Sequence, residues 1–293
     1  MNSKFLILLV ALAFSIVPFL LVGLFLLDPS PLGELSIVNE ENVTSSSIPE
    51  YVREDAENLA VELCGNSPVR CNRFVDHLLK VYSAAEEKDF VLIYNSGGFG
   101  REGEEMDRDW GTIIEGAESE LRTLGYSVIL VQYTRTYATL WDFMKEIREM
   151  MLYYPTKARV LAAEVDFLTE HIQNLRVIVT GRSFGGMYSN EVMKLLEANP
   201  RVYSIQAGIM FFYRSFVPPR TLVMNDNGIT PDSLARGDLW AIIRANFSRG
   251  LIYRAEEGHV GLYFRAPGHI YTWDHPGVRM QITSFLNDNF GSD

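Results

Sequence analysis

Apolar residues fall along this chain in three patterns, and each predicts a different kind of element. Residues 5–27 are 23 consecutive uncharged positions between Lys4 and Asp28. At about 1.5 Å rise per residue a helix of that length reaches about 35 Å, enough for a hydrocarbon core of about 30 Å. The apolar part of a cleaved secretion signal is shorter, about 7–15 residues, and is followed by a small-x-small site. Here Ala11-Leu12-Ala13 falls near the middle of the run. The pattern therefore predicts an uncleaved anchor over residues 1–27, with a kink at Pro18 that a membrane helix tolerates. Lys4 and the α-amino group precede the span. Asp28, Glu34, Glu40, Glu41 and Glu50 follow it, with no positive residue before Arg53. The expected arrangement is a single-pass membrane protein with its N-terminus in the cytoplasm and the rest of the chain outside.

The second pattern is the absence of one. Residues 28–48 mix Pro, Gly, Ser and acidic residues without a period and read as a linker. The third begins at Pro49 and runs to the end, a domain over 49–293. Helical spacing of apolar positions predicts helices over 51–63 and 72–85, which make a helical N-terminal segment, 49–88. Short β-branched runs then alternate with helical stretches. Strands are expected at 90–94, 126–133, 176–180, 203–212, 220–224 and 262–265. Helices are expected at 104–124, 140–175 (broken near Tyr154-Pro155), 187–197, 233–247 and 278–290. The alternation predicts an α/β fold, a mostly parallel sheet of about six strands covered by helices on both faces.

One junction in that series carries chemistry. The run Val177-Ile178-Val179-Thr180 ends in Gly181-Arg182-Ser183-Phe184-Gly185, and a helical stretch follows at once. G-x-S-x-G between strand and helix is the setting of a nucleophile elbow. The turn presents the serine at the strand's end, and a Cβ at Gly181 or Gly185 would collide with the chain as it doubles back. The bland alternative is a Gly-rich turn with an incidental serine.

A serine needs a base, and the base an orienting acid. His77 and His171 fall within helices and are expected to pack or face solvent. His269 lies just after the last expected strand, behind a Pro267-Gly268 turn, and is the expected base; His275 and His259 are the alternatives. Asp226, in Met224-Asn225-Asp226-Asn227-Gly228 after a strand, is the expected acid. Asn225-Asp226-Asn227-Gly228 is also strong turn chemistry, and Asp232 and Asp238 are the alternatives. An oxyanion needs backbone donors. The N–H of Phe184 is one, and Gly97 or Gly98, in the loop after 90–94, the other.

Composition and charge remove other classes. The net charge is −11 and the pI about 5.0, which argues against a nucleic-acid partner. Gly98, Gly100 and Gly103 match a dinucleotide-binding pattern. The ribose-binding acid is missing at the next strand's end, Val131-Gln132-Tyr133-Thr134, so no nucleotide cofactor is expected. There is no His/Cys cluster at metal-ligand spacing. Cys64 and Cys71 are the only cysteines and a disulfide candidate, worth about 2–3 kcal/mol in an oxidising compartment. Two buried thiols are the alternative. Asn42-Val43-Thr44 and Asn246-Phe247-Ser248 match the glycosylation acceptor pattern.

The order of strand, Gly-rich loop, G-x-S-x-G elbow, acid and histidine resembles the α/β-hydrolase superfamily over roughly 88–290. The tail from Gly268-His269 to Asp274-His275-Pro276 looks like that family's histidine segment. The resemblance implies a serine hydrolase with Ser183 as nucleophile, His269 as base and Asp226 as acid. It would cleave an ester, thioester or related acyl bond in a small-molecule or lipid substrate, without cofactor or metal. An acyltransferase or a non-catalytic binding protein would keep the same pattern. Two features depart from the family. Residues 50–88 read as helical where its first strands would be. Only 213–219 separate two strands where many lipases insert a lid, which leaves 140–175 as the candidate cover.

Overall fold

The register of one sheet places everything that follows. The computed structural model of the chain describes residues 33–38, 48–64, 67–98, 108–136, 139–247, 252–254, 260–262 and 266–291. The expected anchor, most of the linker, the Asn42 acceptor pattern, His259 and Gly100 to Gly103 lie outside them. No helix among the described residues is long and apolar enough to cross a membrane.

In chain order the elements are β1 (Glu34–Ile37), α1 (Glu50–Cys64), α2 (Pro68–Ala85), β2 (Phe90–Asn95), α3 (Arg108–Thr123) and β3 (Val128–Thr134). Then come α4 (Leu140–Met151), α5 (Lys157–His171), β4 (Arg176–Arg182), α6 (Phe184–Leu195), β5 (Val202–Ala207) and β6 (Thr221–Met224). The short α7 (Ser233–Arg236), α8 (Leu239–Phe247), β7 (Ile252–Arg254), β8 (Val260–Leu262) and α9 (Pro276–Phe290) complete the series. Among the described residues the main sheet has six strands in the order β1-β3-β2-β4-β5-β6, parallel except for β1. The fold class is thus the expected α/β.

Alternation along the buried strands builds two cores. Val91 and Ile93 face a cluster with Val177, Val179 and the buried sides of α1, α2, α5 and α6. Phe90, Leu92 and Tyr94 face the other way, against α3 and α9. Each fully buried aliphatic contributes about 1.5–3 kcal/mol, so the central strands of near-continuous apolar sequence need cover on both sides.

Several boundaries differ from expectation for identifiable reasons. Glu34–Ile37, inside the expected 28–48 linker, is an edge strand antiparallel to β3, with Leu35 and Ile37 buried. Two apolar positions are too few to register as a period; pairing with β3 makes the strand. Of the strand expected over 262–265 only Leu262 is described. Residues 263–265 lie outside the described residues, and Val260–Leu262 pairs antiparallel with Ile252–Arg254 in a separate ribbon. The strand expected over 203–212 ends at Ala207, where Gly208 takes φ 59° and turns the chain off the sheet. The helical stretch 140–175 breaks where Tyr153 and Tyr154 adopt φ 60° and 54°, just before Pro155. The helix expected over 233–247 splits at left-handed Gly237.

The cysteines are both free. Burial, a hydrogen bond donated to Cys71 and the charge of the Cys71 thiolate push the Cys64 thiol up to about 12. Cys71 Sγ donates to the Ala60 carbonyl at 3.7 Å. The disulfide is therefore replaced by two neighbouring thiols, each with a non-covalent partner. His77 and His171 have packing roles, His77 Nδ1 beside the Leu35 carbonyl at 3.2 Å and His171 Nε2 beside Asp55 at 3.0 Å. Asn246 of the second acceptor pattern is buried, and its amide donates to the Ile242 carbonyl at 2.7 Å.

If β1 is part of the core, Leu35→Ala should lower stability by about 2–4 kcal/mol, read as a shift of the urea midpoint at unchanged slope. A linker residue would show no change.

Candidate active site

β4 delivers Ser183 to the carboxyl edge of the sheet. The serine adopts φ 58° and ψ −119°, a conformation L residues rarely hold. Crowding around it matches the sequence argument. A Cβ on Gly181 would lie 2.4 Å from the backbone of Gly185. A Cβ on Gly185 would lie 2.4 Å from the Asn95 carbonyl and 2.5 Å from that of Ser96. The backbone is held by Ser183 N–H donating to the Ala207 carbonyl at 2.9 Å, and Phe184 opens α6 immediately after. Ser183 Oγ donates to Met210 Sδ at 3.6 Å.

Across the edge, His269 is paired with an aspartate, and it is Asp232 rather than Asp226. His269 Nδ1 lies 2.8 Å from Asp232 Oδ2, and the same oxygen accepts from the Tyr271 hydroxyl at 2.7 Å. The other oxygen, Oδ1, caps α7 by accepting from the N–H groups of Leu234 and Ala235 at 2.8 and 3.1 Å. Burial of Asp232 opposes its ionisation. The His269 hydrogen bond and charge, the Tyr271 hydrogen bond and the Ala235 N–H outweigh it, and the carboxyl sits below its ordinary value. Burial and the Asp232 charge push the Tyr271 hydroxyl well up, so it stays a donor. A carboxylate can only accept, so Nδ1 carries the hydrogen and Nε2 is the basic nitrogen.

Asp226 is spent on its turn. Its Oδ1 accepts from Gly228 N–H at 3.0 Å, while Asn227 Oδ1 accepts from Ile229 and Thr230 N–H at 3.0 and 2.7 Å. The Asn-Asp-Asn-Gly run is doing turn work, and the chain it folds back brings Asp232 to the histidine. The pairing needs two glycines. A Cβ on Gly208 would sit 2.7 Å from His269 Cε1 and 2.8 Å from Asp232 Oδ2. One on Gly268, at φ 78°, would sit 2.2 Å from the Pro231 carbonyl. Neither Gly208 nor Tyr271 was legible as a site residue in the sequence. The signal for Asp232 was its place before Ser233, as the N-cap of a helix.

Ser183, Phe184, Met210, His269, Gly97 and Gly98 line one cavity of about 1020 Å³, together with Arg182, Asp109, Asn227, Ile229, Leu234, residues 266–268, Ile270 and His275. His275 thus lies in the cavity, with no hydrogen bond to an aspartate among the described residues, and opens α9 as its N-cap. Asp238 instead accepts from Ala241 N–H at 2.9 Å, inside α8's first turn. Among the described residues none of 140–175 lines the cavity, so the expected cover is absent there.

Those residues do something else. Arg135, just past β3, is fully buried and donates from Nη1 to the Ser96 carbonyl at 2.8 Å and from Nη2 to that of Gly98 at 2.9 Å. Its Nε donates to Glu146 Oε1 at 3.1 Å. Lys157 Nζ donates to the other Glu146 oxygen and to the Arg135 carbonyl. Burial lowers the Lys157 ammonium despite Glu146 beside it. The guanidinium also lies 5.4 Å from the Tyr188 ring. α4 and α5 therefore supply a buried ionic clamp on the loop after β2. A peptide's C=O and N–H point opposite ways. With the Ser96 carbonyl turned onto Arg135, the Gly97 N–H of the same peptide faces away from the clamp.

No protein-family model matches this chain, and no curated protein matches it. Among solved structures, a Trichoderma reesei cutinase in complex with a C11Y4 phosphonate inhibitor is similar at 12% identity and a TM-score of 0.33, over 60% of this chain and 74% of that chain. A likeness that slight carries no functional weight, and the chemistry rests on the geometry above.

Arg135→Met should cost about 3–5 kcal/mol, because it leaves Glu146 buried against one cation instead of two and two carbonyls without donors. Chemical denaturation measures it; a loss below about 1 kcal/mol would mean the clamp contributes little.

Proposed function

We propose that this chain is a serine hydrolase that cleaves an ester or related acyl bond in the Ser183 cavity. The observation that carries the reading is the contact between a buried, ionised Asp232 and His269, which lines the same cavity as a strained serine at the start of a helix. His275, also in the cavity, has no such acid among the described residues, so His269 is assigned as the base.

The reaction follows from these groups. The Ser183 hydroxyl turns from Met210 Sδ to His269 Nε2 and attacks the carbonyl carbon as its proton passes to the imidazole. Asp232 accepts from Nδ1–H and stabilises the imidazolium. The oxyanion is met by the N–H of Phe184 and that of Gly97; the orientation Arg135 imposes on the Ser96–Gly97 peptide favours Gly97 over Gly98. The imidazolium returns its proton to the departing alkoxide. Water, deprotonated by His269, then releases the acyl group and restores the hydroxyl. An alcohol or amine in place of water would make the protein an acyltransferase, and labelled-donor product analysis separates the two.

We also infer from residues 5–27 that the domain is tethered to a membrane, with the cavity on the extracytoplasmic side. Sedimentation with membranes after carbonate washing checks the tether.

A fluorophosphonate probe should label the wild-type chain and fail to label Ser183→Ala; equal labelling of both removes the nucleophile. Asp232→Asn should lower turnover of an activated ester by up to about 10⁴-fold, whereas Asp226→Asn should stay within about threefold. The reverse ranking would return the acid's role to Asp226. Stability should share this asymmetry. The lowered Asp232 value means its contribution is fully present above the ordinary carboxylate pKa of about 3.8 and is lost as pH falls through the lower native value. Thermal melts of wild type and Asp232→Asn should therefore converge on acidification below about pH 4.

A further inference from the structure

The direction of β1 decides which end of the domain a membrane tether can reach. β1 runs antiparallel to β3, so its first residue meets the carboxyl end of the parallel strands: Glu34 pairs with Thr134, Tyr133 with Asn95, and Asn95 with Gly181. The chain thus enters the domain at the height of the elbow, three strands from β4. At about 4.8 Å between strands that is about 15 Å to the side of Ser183. Gly33 is pinned there, because its own Cα lies against the Tyr133 ring, where a Cβ would sit 2.3 Å from the hydroxyl. Only residues 28–33 separate the uncharged stretch from Glu34. Fully extended they reach about 20 Å. A span ending at Leu27 therefore holds the active-site edge close to the bilayer, with the opposite edge a strand length farther away.

Among the described residues the same edge carries exposed apolar side chains. Ile229 and Ile270, on the cavity rim, are 67% and 46% exposed. Phe212 is exposed, and its ring lies 6.4 Å from that of Phe184 in the cavity wall. Phe211 packs against Gly237, and the exposed Leu239 and Trp240 follow directly at the start of α8. Scattered exposed apolar residues are ordinary; here Ile229 and Ile270 line the cavity itself, and Leu239 and Trp240 come soon after α7, whose Leu234 lines it too. Aromatic and aliphatic side chains of this kind immerse in the headgroup–acyl boundary, and a net charge of −11 leaves apolar contact rather than attraction to anionic lipid to hold the surface there.

We propose that the mouth of the Ser183 cavity docks on the bilayer that carries residues 5–27, and that the substrate is an acyl ester resident in that bilayer. This rests on the tethered-hydrolase reading above. The lipid's acyl chain rises into the cavity between the rim residues, and its ester carbonyl meets Ser183 without the molecule leaving for water.

The test uses the full chain in phosphatidylcholine vesicles, with and without lipid brominated near the top of its acyl chains. Tryptophan emission should fall with the brominated lipid, and Trp240→Phe should remove about half of that fall. No difference between wild type and Trp240→Phe, or a chain that does not float with the vesicles, overturns the docking. Leu239→Ser/Trp240→Ser should hydrolyse a long-chain ester carried in the vesicles about tenfold more slowly while cleaving p-nitrophenyl butyrate in water within about twofold of wild type. Equal rates on both esters overturn it. Quenching through Trp240 without turnover of either ester upholds the docking and overturns the hydrolase, so the two failures are distinguishable.

Discussion

A backbone reversal of one residue, at Ser183, sets the terms for its surroundings. A left-handed φ at a non-glycine residue costs about 1–3 kcal/mol and survives only where neighbours over-determine it. Here they do. β4 is locked between β2 and β5, and Ser183 N–H is bonded to the Ala207 carbonyl. Gly185 is pressed against the carbonyls of Asn95 and Ser96. That last approach has a further effect. It brings the start of α6 against the loop after β2, so the serine, the first N–H of its helix and the Gly97 peptide are parts of one packed unit rather than three independent loops.

Two buried ionic groups complete the edge from opposite sides. Arg135, Glu146 and Lys157 hold the loop after β2; Asp232 and Tyr271 hold the imidazole of His269. Neither group is an economical source of stability, since desolvating charges offsets much of what their attraction returns. Each does fix an orientation that apolar packing could not. A guanidinium with a donor to each of two carbonyls and to a carboxylate determines how a peptide plane is turned. A carboxylate whose other oxygen is spent as a helix cap has one position left in which to meet a histidine. The polar residues buried near the site thus serve geometry, while the two apolar cores on either face of the sheet carry the folding free energy.

β1 connects this chemistry to the segment before the domain. A strand of four residues adds little area, yet its antiparallel sense brings the incoming chain to the carboxyl edge of the sheet instead of the amino edge. With parallel pairing the same residues would have entered on the far side, and the cavity would have faced away from anything attached upstream. Where the upstream chain joins the sheet is therefore a property of topology here.

What the sequence determined by itself was local. The strand–turn–helix around Ser183 was legible because glycine spacing and β-branched periodicity act over a few residues, and so were the alternating elements from β2 to β6 and the closing α9. His269 stood out by its glycine turn. The tertiary structure decided the pairings. Asp226 and Asp232 are six residues apart; one has a turn role and the other an N-cap role open to it, and neither role tells which will meet a histidine; the fold of 225–231 spends Asp226 on its own turn and brings Asp232 to His269, 37 positions further on. Gly208, Tyr271 and the Arg135 clamp were invisible for the same reason, as was β1, whose two apolar side chains show no period. Periodicity reports which face of an element is buried; it does not report which distant element will cover it.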